Sequence, residues 1–360
     1  MMGEQRVRSS ARDGKSQVEQ TARTSQSGGD PVSVKVGGLF EEASSGNRRS
    51  LAKLLSAIEK GGDLGRMVAA VAYRSGLEAH SVGITGAPGA GKSTLVDRLI
   101  AHARAGGIGQ LTVLAVDPSS PFTGGAILGD RVRMQGHALD EGVFIRSMAS
   151  RGHLGGLAVA VPEAIRVAAA AGIEVVLVET VGVGQVEVEV ASATDTTVVV
   201  VNPRWGDSVQ ANKAGLLEAA DIFVINKADL PGARETRRDL EQMLDLSPDR
   251  DWRPPVLEVV AAKDEGADIL WETIEKHQSH MESTGELERR RAQRLQREFK
   301  AVLVAKIERQ VDALYADDRF SSLAESVEQH GLDPYEAAEL LLGEVTSGDT
   351  LEDPTPRVDP

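Results

Sequence analysis

The sequence predicts an α/β fold with a mostly parallel, doubly wound sheet. Seven short runs rich in Val, Ile and Leu alternate with helical stretches, which is the pattern of repeated strand–helix–strand units. Several of these runs are apolar at every position, as expected for parallel strands that helices cover on both faces. The predicted strands are 82–86, 112–117, 143–147, 175–179, 196–201, 222–227 and 256–260.

Composition limits the possible classes of partner and cellular location. The 360 residues can form one large domain with appendages or two domains. With 40 Lys and Arg against 54 Asp and Glu, the net charge is −14, so we expect no nucleic-acid partner. The absence of cysteine excludes disulfides, thiolate metal sites and cysteine nucleophiles, and it fits a cytoplasmic protein. No apolar run approaches the roughly 18 residues of a membrane span, so we expect no membrane partner.

The chain is predicted to contain five segments. The first is rich in polar residues without a hydrophobic period, whereas apolar residues from Leu295 to Leu314 recur at helical spacing. Asp333, Pro334 and Glu336 predict a further helix start. The apolar helix face must fold back or pack against another copy, and we favour a homodimer. The predicted segments are a disordered tail (1–35), an N-terminal helical segment (36–80), the α/β domain (81–285), a C-terminal helical dimerisation extension (286–345) and a loose tail (346–360).

The stretch GAPGAGKST follows the first predicted strand and opens a helix, which is the context of a P-loop. Its glycines allow backbone N–H groups to surround a β-phosphate, and the helix N-terminus adds positive potential. Lys92 is predicted to neutralise phosphate oxygens, and the Ser93 hydroxyl is predicted to ligate Mg²⁺. The predicted phosphate-binding residues are Gly86, Ala87, Pro88, Gly89, Ala90, Gly91, Lys92, Ser93 and Thr94.

The motif NKAD at the end of a later strand predicts guanine as the base. The Asp229 carboxylate can accept from the ring N–H and the amino group of guanine, whereas adenine lacks a donor at both positions. The Lys227 stem can cover the base, and Asn226 can tie the loops together. Ala261, Ala262 and Lys263 follow the next strand, where GTPases use a backbone N–H against guanine O6. The sequence therefore predicts binding of GTP and GDP with Mg²⁺.

Further carboxylates lie at strand ends that face a P-loop. Glu179 ends one strand and can hold the Mg²⁺ shell or orient water, and the Gly182 N–H can sense the γ-phosphate. Asp117 ends another strand, and Asp130 follows a glycine-rich segment, although either acid could instead cap a helix or form a turn. Gln185 could position water or be a solvated loop residue. From position alone, Lys92 and Glu179 are candidate catalytic residues and Ser93 and Glu179 are candidate metal ligands, whereas Asp117 and Asp130 stay open between a catalytic or metal-ligand role and a structural one.

These segments, with VLAVDPSSPFTGGAILGDRVRM, FIRSMASRGHLGG and VETVGVGQVE, resemble the methylmalonyl-CoA mutase-associated GTPases of the MeaB/ArgK type. The resemblance spans about residues 45–345. It implies a homodimeric GTPase that binds an adenosylcobalamin-dependent acyl-CoA mutase, gates cofactor loading and protects the mutase. It also implies that Asp117, Asp130 and Glu179 are magnesium or catalytic carboxylates.

The segment NPRWGDSVQANKAG resembles an additional switch of this family that moves when the mutase binds. We predict that Trp205, Lys213 and Gln185 belong to the switches that meet the partner, although Trp205 departs from some relatives and could pack beneath its loop. Two other functions remain open: a kinase acting on transport-binding proteins, and a scaffold stabilised by GTP.

Three histidines could suggest a cofactor or metal site. His153 stands where the mutase-type cobalamin motif D-x-H-x-x-G would need a preceding aspartate, but Arg151 occupies that position, so we interpret His153 as a loop residue. His277 and His280 can share a helix face, and without further ligands we expect both to be solvated. Candidates for an arginine finger are Arg131, Arg133 and Arg146, by neighbourhood alone.

Overall fold

The computed structural model describes most of the chain in eight stretches. Asp130, Gly182, Gln185, Trp205 and Lys213 lie outside them, as do Arg131, Arg133, His153 and residues 347–360 of the predicted tail 346–360. The described residues are 31–117, 135–137, 139–149, 157–180, 192–203, 219–246, 251–314 and 318–346.

A seven-stranded, fully parallel sheet forms the centre of the fold, in the order β3-β2-β4-β1-β5-β6-β7. This confirms the predicted fold class, and each predicted strand is present with small differences at its ends. Every residue of β1, β4, β5 and β6 is buried, which explains the apolar runs within these strands. The strands are β1 (His80–Thr85), β2 (Leu111–Asp117), β3 (Val143–Ala149), β4 (Val175–Thr180), β5 (Thr196–Val201), β6 (Ile222–Asn226) and β7 (Val256–Val259).

Helices cover both faces of the sheet, and the described buried apolar residues form three hydrophobic clusters. One joins the N-terminal helices to β2 and β4, a second joins the helix after β1 to β1, β5 and β6, and a third joins the helix after β6 to β5, β6 and β7. The strand order reverses beside β1, so the carboxyl ends of β1, β4 and β5 meet where ligands bind in open α/β sheets. The helices are α1 (Pro31–Ser44), α2 (Arg48–Lys60), α3 (Gly62–Ser75), α4 (Lys92–Ala105), α5 (Leu157–Ala170), α6 (Ala233–Asp245), α7 (Ala267–Thr284), α8 (Glu286–Leu314), α9 (Asp318–Glu328) and α10 (Pro334–Thr346).

Helix α1 begins inside the segment predicted to be disordered. Val36, Phe40 and Ala43 are buried at helical spacing, so this helix contributes to the core despite the interruption at Gly37 and Gly38. The two glycines obscured the apolar period because glycine disfavours helix interiors. The part of the tail prediction that covers 1–30 lies outside the described residues.

The chain divides into two compact units, Met1–Phe299 and Lys300–Pro360. The first unit therefore extends beyond the predicted boundary at 285 into helix α8. It does so because Arg290, Arg291 and Arg294 form ion pairs with the buried carboxylates of Asp195 and Asp221. Among the described helices, none is long and apolar enough to cross a lipid bilayer.

The C-terminal unit contains the predicted capped helix. The Asp333 carboxylate accepts hydrogen bonds from the backbone N–H groups of Tyr335 and Glu336, at 2.8 and 3.0 Å, and α10 starts at Pro334. The cap satisfies two backbone donors of the first helical turn, and Pro334 leaves one donor fewer to satisfy because proline has no backbone N–H.

Candidate nucleotide site

The P-loop connects β1 to α4 and requires glycine at two positions. Gly86 has φ +134°, and a Cβ there would overlap the Val200 carbonyl oxygen. Gly91 has φ +90°, and a Cβ there would overlap the Asn226 amide nitrogen. Both positions therefore exclude larger residues by conformation and by space. This close packing forms a compact loop at the start of α4, where a helix N-terminus favours anions.

Lys92 is buried in this loop, with 6% of its surface exposed. Its ammonium donates hydrogen bonds to the carbonyl oxygens of Gly86 at 2.6 Å and Ala87 at 3.1 Å. These bonds hold the positive charge within the loop rather than in solvent. The side chain can exchange these carbonyls for phosphate oxygens without leaving the site.

Ser93 and Glu179 form a second polar contact beside Lys92. These three residues are called the phosphate end of the site. The Ser93 hydroxyl donates to the Glu179 carboxylate at 2.6 Å, and both side chains are buried. They meet because β4 pairs with β1, with Glu179 opposite Ile84. A hydroxyl and a carboxylate are hard oxygen ligands of the kind that Mg²⁺ prefers. These two residues therefore fit a magnesium site that phosphate oxygens and water would complete.

Asp117 is the last residue of β2, next to β4 in the sheet. The register pairs Val116 with Thr180, so Asp117 stands one residue beyond that pair at the same edge as Glu179. This placement agrees with the predicted position of Asp117, although a ligand role for its side chain stays a prediction. The roles of Asp130, Gly182, Gln185, Trp205 and Lys213 also stay predictions, because these residues lie outside the described part of the chain.

Asn226 connects the three loops of the site, as its motif predicts. Its amide nitrogen donates to Ala90 O at 2.7 Å, and its amide oxygen accepts from the N–H groups of Lys227 and Ala261, at 2.9 and 3.1 Å. The side chain is 2% exposed, so these bonds form away from solvent. Loss of this amide would leave buried backbone groups in the P-loop and in the loop after β7 without their partner.

The base-recognition residues are more exposed than the phosphate end. Lys227 adopts φ +59° and donates from its ammonium to Gly89 O at 2.8 Å, so its stem passes beside the P-loop. Asp229 forms an ion pair with Lys263, with 2.9 Å between Oδ2 and Nζ. The Lys263 hydrogen bond holds the pKa of Asp229 below its usual value, and Asp229 raises the pKa of Lys263.

Two contacts at the site were not predicted from the sequence. Asn202, directly after β5, donates to Gly89 O at 3.4 Å, and Arg98 on α4 donates to Ala261 O at 3.3 Å. A polar residue at the end of an apolar strand could have indicated Asn202. Arg98 has no comparable signal, because an arginine on an amphipathic helix is most often solvated.

Two expectations from the sequence are corrected. His277 was expected to be solvated, but it is fully buried on α7, 2.8 Å from the Thr196 hydroxyl and 3.4 Å from the Asp221 carboxylate. Its partners lie at the starts of β5 and β6, at the sheet edge away from the P-loop. Arg146 does not serve as an arginine finger, since its guanidinium donates to Glu59 at 2.5 Å and joins β3 to α2.

The parallel sheet, the P-loop and the loops after β6 and β7 that Asn226 connects together define a P-loop nucleotide-binding protein of the GTPase class. The family comparison agrees. The chain belongs to the family described as methylmalonyl Co-A mutase-associated GTPase MeaB, whose sequence profile matches residues 51–315. The chain is thus a GTPase of that family.

Individual relatives show the extent of the similarity. A Pyrococcus abyssi protein named as a GTPase is 48% identical over 314 residues, which cover 86% of this chain and 97% of the relative. The mouse protein named methylmalonic aciduria type A homolog, mitochondrial, is 36% identical over 58% of this chain and 52% of its own. A crystal structure of a protein named LAO/AO transport system kinase is 25% identical, with a TM-score of 0.65 over 87% of this chain and 98% of that one.

Proposed function

We propose that this protein is a Mg²⁺-dependent GTPase that acts as a chaperone and regulator of an adenosylcobalamin-dependent acyl-CoA mutase of the methylmalonyl-CoA type. The match of residues 51–315 to a mutase-associated GTPase family carries this proposal, and the name of the mouse relative supports it. In the proposed role, GTP binding and hydrolysis gate cofactor loading and protect the mutase from inactivation.

The buried phosphate end supports hydrolysis rather than binding alone. The main-chain amides of the loop from Gly86 to Gly91 and the Lys92 ammonium would bind the β- and γ-phosphates. Ser93 and Glu179 would hold Mg²⁺, whose charge would offset the negative charge on the phosphate oxygens.

The reaction is attack of water on the γ-phosphorus. A new P–O bond forms to water while the bond from the γ-phosphorus to the bridging β-oxygen breaks, which yields GDP and inorganic phosphate. Lys92 would stabilise the negative charge that develops on the bridging oxygen between the β- and γ-phosphorus atoms as that bond breaks. Glu179 is buried at the end of β4, where it would fix the Ser93 hydroxyl and the metal shell.

A kinase is the second candidate, because one protein of similar structure is named a transport system kinase. A kinase would transfer the γ-phosphoryl group to a hydroxyl acceptor rather than to water. Asp229 after β6 favours guanine, whereas most kinases would use ATP. Comparing phosphate release from GTP and ATP, with and without a candidate acceptor protein, separates the two candidates.

The homodimer is also a proposal, supported by helix α8. Leu303, Val304 and Ile307 of this helix are 48%, 43% and 50% exposed. Neighbouring exposed aliphatic side chains on one helix are typical of a surface that a partner covers. A second copy of this chain would bury them.

The test of the mutase role is titration calorimetry with an adenosylcobalamin-dependent mutase, in the presence of GDP or a non-hydrolysable GTP analogue with Mg²⁺. We expect association whose affinity depends on which nucleotide is bound. Lys92→Ala should remove this dependence because the variant loses its main phosphate contact. Equal binding in all nucleotide states, or no binding, would contradict the mutase role while leaving GTP hydrolysis intact.

A further inference from the structure

The guanine-selecting carboxylate has a cationic neighbour that the NKAD motif does not explain. Asp229 follows β6 and Lys263 follows β7, and their charged groups are 2.9 Å apart. Two further hydrogen bonds connect these loops. The Asn226 amide oxygen accepts from the Ala261 N–H, and the Ala228 N–H donates to Val259 O. The ion pair therefore joins two loops whose backbones are already tied.

The turn that carries Lys263 is fixed along its length. The Lys263 N–H donates to Val260 O at 2.8 Å, and Asp264 adopts φ +60° to end the short helical turn. The Asp264 carboxylate lies 3.0 Å from the His102 ring on α4. Because the backbone on both sides is held, the Lys263 stem starts from a defined position and its ammonium can hold Asp229 in one orientation.

This ion pair is compatible with base recognition. A carboxylate offers about four lone-pair positions on its two oxygens, and a guanine that donates from its ring N–H and its 2-amino group uses two of them. Lys263 contacts one oxygen only, so two suitably directed positions remain. An unsupported exposed carboxylate can rotate about its χ2 torsion, and rotation misaligns a two-point contact more than a one-point contact.

We propose that Lys263 is a specificity-determining positioning residue, which orients Asp229 so that both carboxylate oxygens accept from a 2-aminopurine nucleotide. This inference rests on the proposed GTPase function. Lys263 acts through Asp229, and its contribution appears in the preference for guanine over hypoxanthine. Hypoxanthine has the ring N–H but lacks the 2-amino group, so it makes only one of the two contacts.

The test compares the dissociation constants of GDP, IDP and ADP by calorimetry, for the full chain and for Lys263→Met, Lys263→Arg and Lys276→Met. Lys276 is a matched control because it is an exposed lysine paired with Glu272 on α7. We expect Lys263→Met to weaken GDP binding by about 2- to 5-fold, within the range of an exposed ion pair, and to weaken IDP binding less. Lys263→Arg should restore the GDP/IDP ratio, and Lys276→Met should leave it unchanged.

An unchanged or tighter GDP affinity in Lys263→Met would overturn the proposal, since Lys263 would then be neutral or a competitor for the carboxylate. An equal loss of affinity for GDP and IDP would also overturn the proposal, because it would indicate a general disturbance of the loop that affects both bases alike. If the unmodified protein binds no guanine nucleotide, the proposed GTPase function itself fails, which is a different result from an unchanged ratio.

Discussion

At the scale of single residues, the two ends of the nucleotide site differ in burial. Lys92, Ser93, Glu179 and Asn226 are all buried and hydrogen-bonded, whereas Asp229 is exposed and positioned by one ion pair. Buried polar groups with satisfied partners are rigid, and rigidity suits a site that stabilises developing charge. The buried side chains of the phosphate end are therefore fixed before a nucleotide binds, while the exposed Asp229 is accessible to an incoming base.

Glu179→Gln tests the phosphate end with little change in shape. Glutamine retains an oxygen that can accept from Ser93 but lacks the negative charge that favours Mg²⁺. We expect a higher Mg²⁺ requirement and GTP turnover lower by about 10- to 100-fold, as for loss of a group that orients a metal ligand. Phosphate release measured across Mg²⁺ concentrations checks this, with Glu272→Gln on α7 as the control. Turnover and Mg²⁺ dependence like those of the unmodified protein would place the metal elsewhere.

His80 gives a prediction for the pH dependence of stability. Burial lowers its pKa from 6.5 to about 4, and its ring lies 3.0 Å from the Thr196 hydroxyl. The folded protein thus keeps His80 neutral in a range where the unfolded chain binds a proton. Its contribution to stability is complete above pH 6.5 and is lost as pH falls from 6.5 towards 4, by about 3 kcal/mol in total.

Urea unfolding at several pH values between 4.5 and 7.5 measures the free energy of unfolding as a function of pH. His80→Gln should reduce the slope of that function by an amount that corresponds to the uptake of about one proton on unfolding. Asp221 acts in a lower range. Although burial raises its pKa, contacts with His277 and Arg290 hold the pKa below 3.8. If the free energy of unfolding of His80→Gln and of the unmodified protein changed with pH to the same extent, the pH dependence would belong to other groups.

The sequence predicted those parts of the site whose residues belong to short contiguous motifs. Asn226 connects neighbouring loops as its motif indicates, because those loops lie at one sheet edge. Lys92 lies inside the predicted P-loop, and its contact with phosphate stays a prediction. His277 was misjudged because its partners, Thr196 and Asp221, are distant in sequence and meet it only through the fold. The Lys263–Asp229 ion pair was missed for the same reason.

At the scale of elements, the strands were predictable and the attachment of α8 was not. Seven apolar runs gave seven strands because a parallel sheet buries both faces of its strands. Helix α8 was predicted from its apolar period, but three arginines of its first half fix it to the sheet. Arg291 and Arg294 contact the Asp195 carboxylate at 2.8 and 3.1 Å, and Arg290 contacts Asp221 at 3.0 Å.

Asp195→Asn tests how strongly this charge cluster attaches α8. Asp195 is 1% exposed and also accepts from Ser81 N at 3.1 Å. Its neutralisation removes the carboxylate partner of the partly buried Arg294 and one of two carboxylate partners of Arg291, which also pairs with Glu78. We expect a loss of about 3 kcal/mol in the free energy of unfolding. Urea denaturation measures it, and Asp245→Asn, in an exposed ion pair with Arg253, should change stability by less than about 1 kcal/mol. A loss no larger than that of the control would mean that apolar contacts hold the helix.

At the scale of the whole molecule, the described nucleotide-site residues belong to the first compact unit and the second unit is helical. The second unit, described by itself, buries few large side chains, and Ala305 and Ala337 are its only buried apolar residues among those described. A unit with so little buried apolar surface gains little stability alone. Association with a second copy would supply the missing burial.

Leu303→Glu combined with Ile307→Glu tests this association. Both side chains are about half exposed on α8, at 48% and 50%, so glutamate can be solvated there in a monomer. In a dimer it would place a charge in an apolar interface, at a cost of several kcal/mol for each copy. We expect sedimentation velocity to show a dimer for the unmodified protein and a monomer for the variant, with GDP affinity retained. Lys306→Glu, an exposed change on the same helix, should remain dimeric. A monomeric unmodified protein at all concentrations, or a dimeric variant, would show that this face of α8 is not the interface.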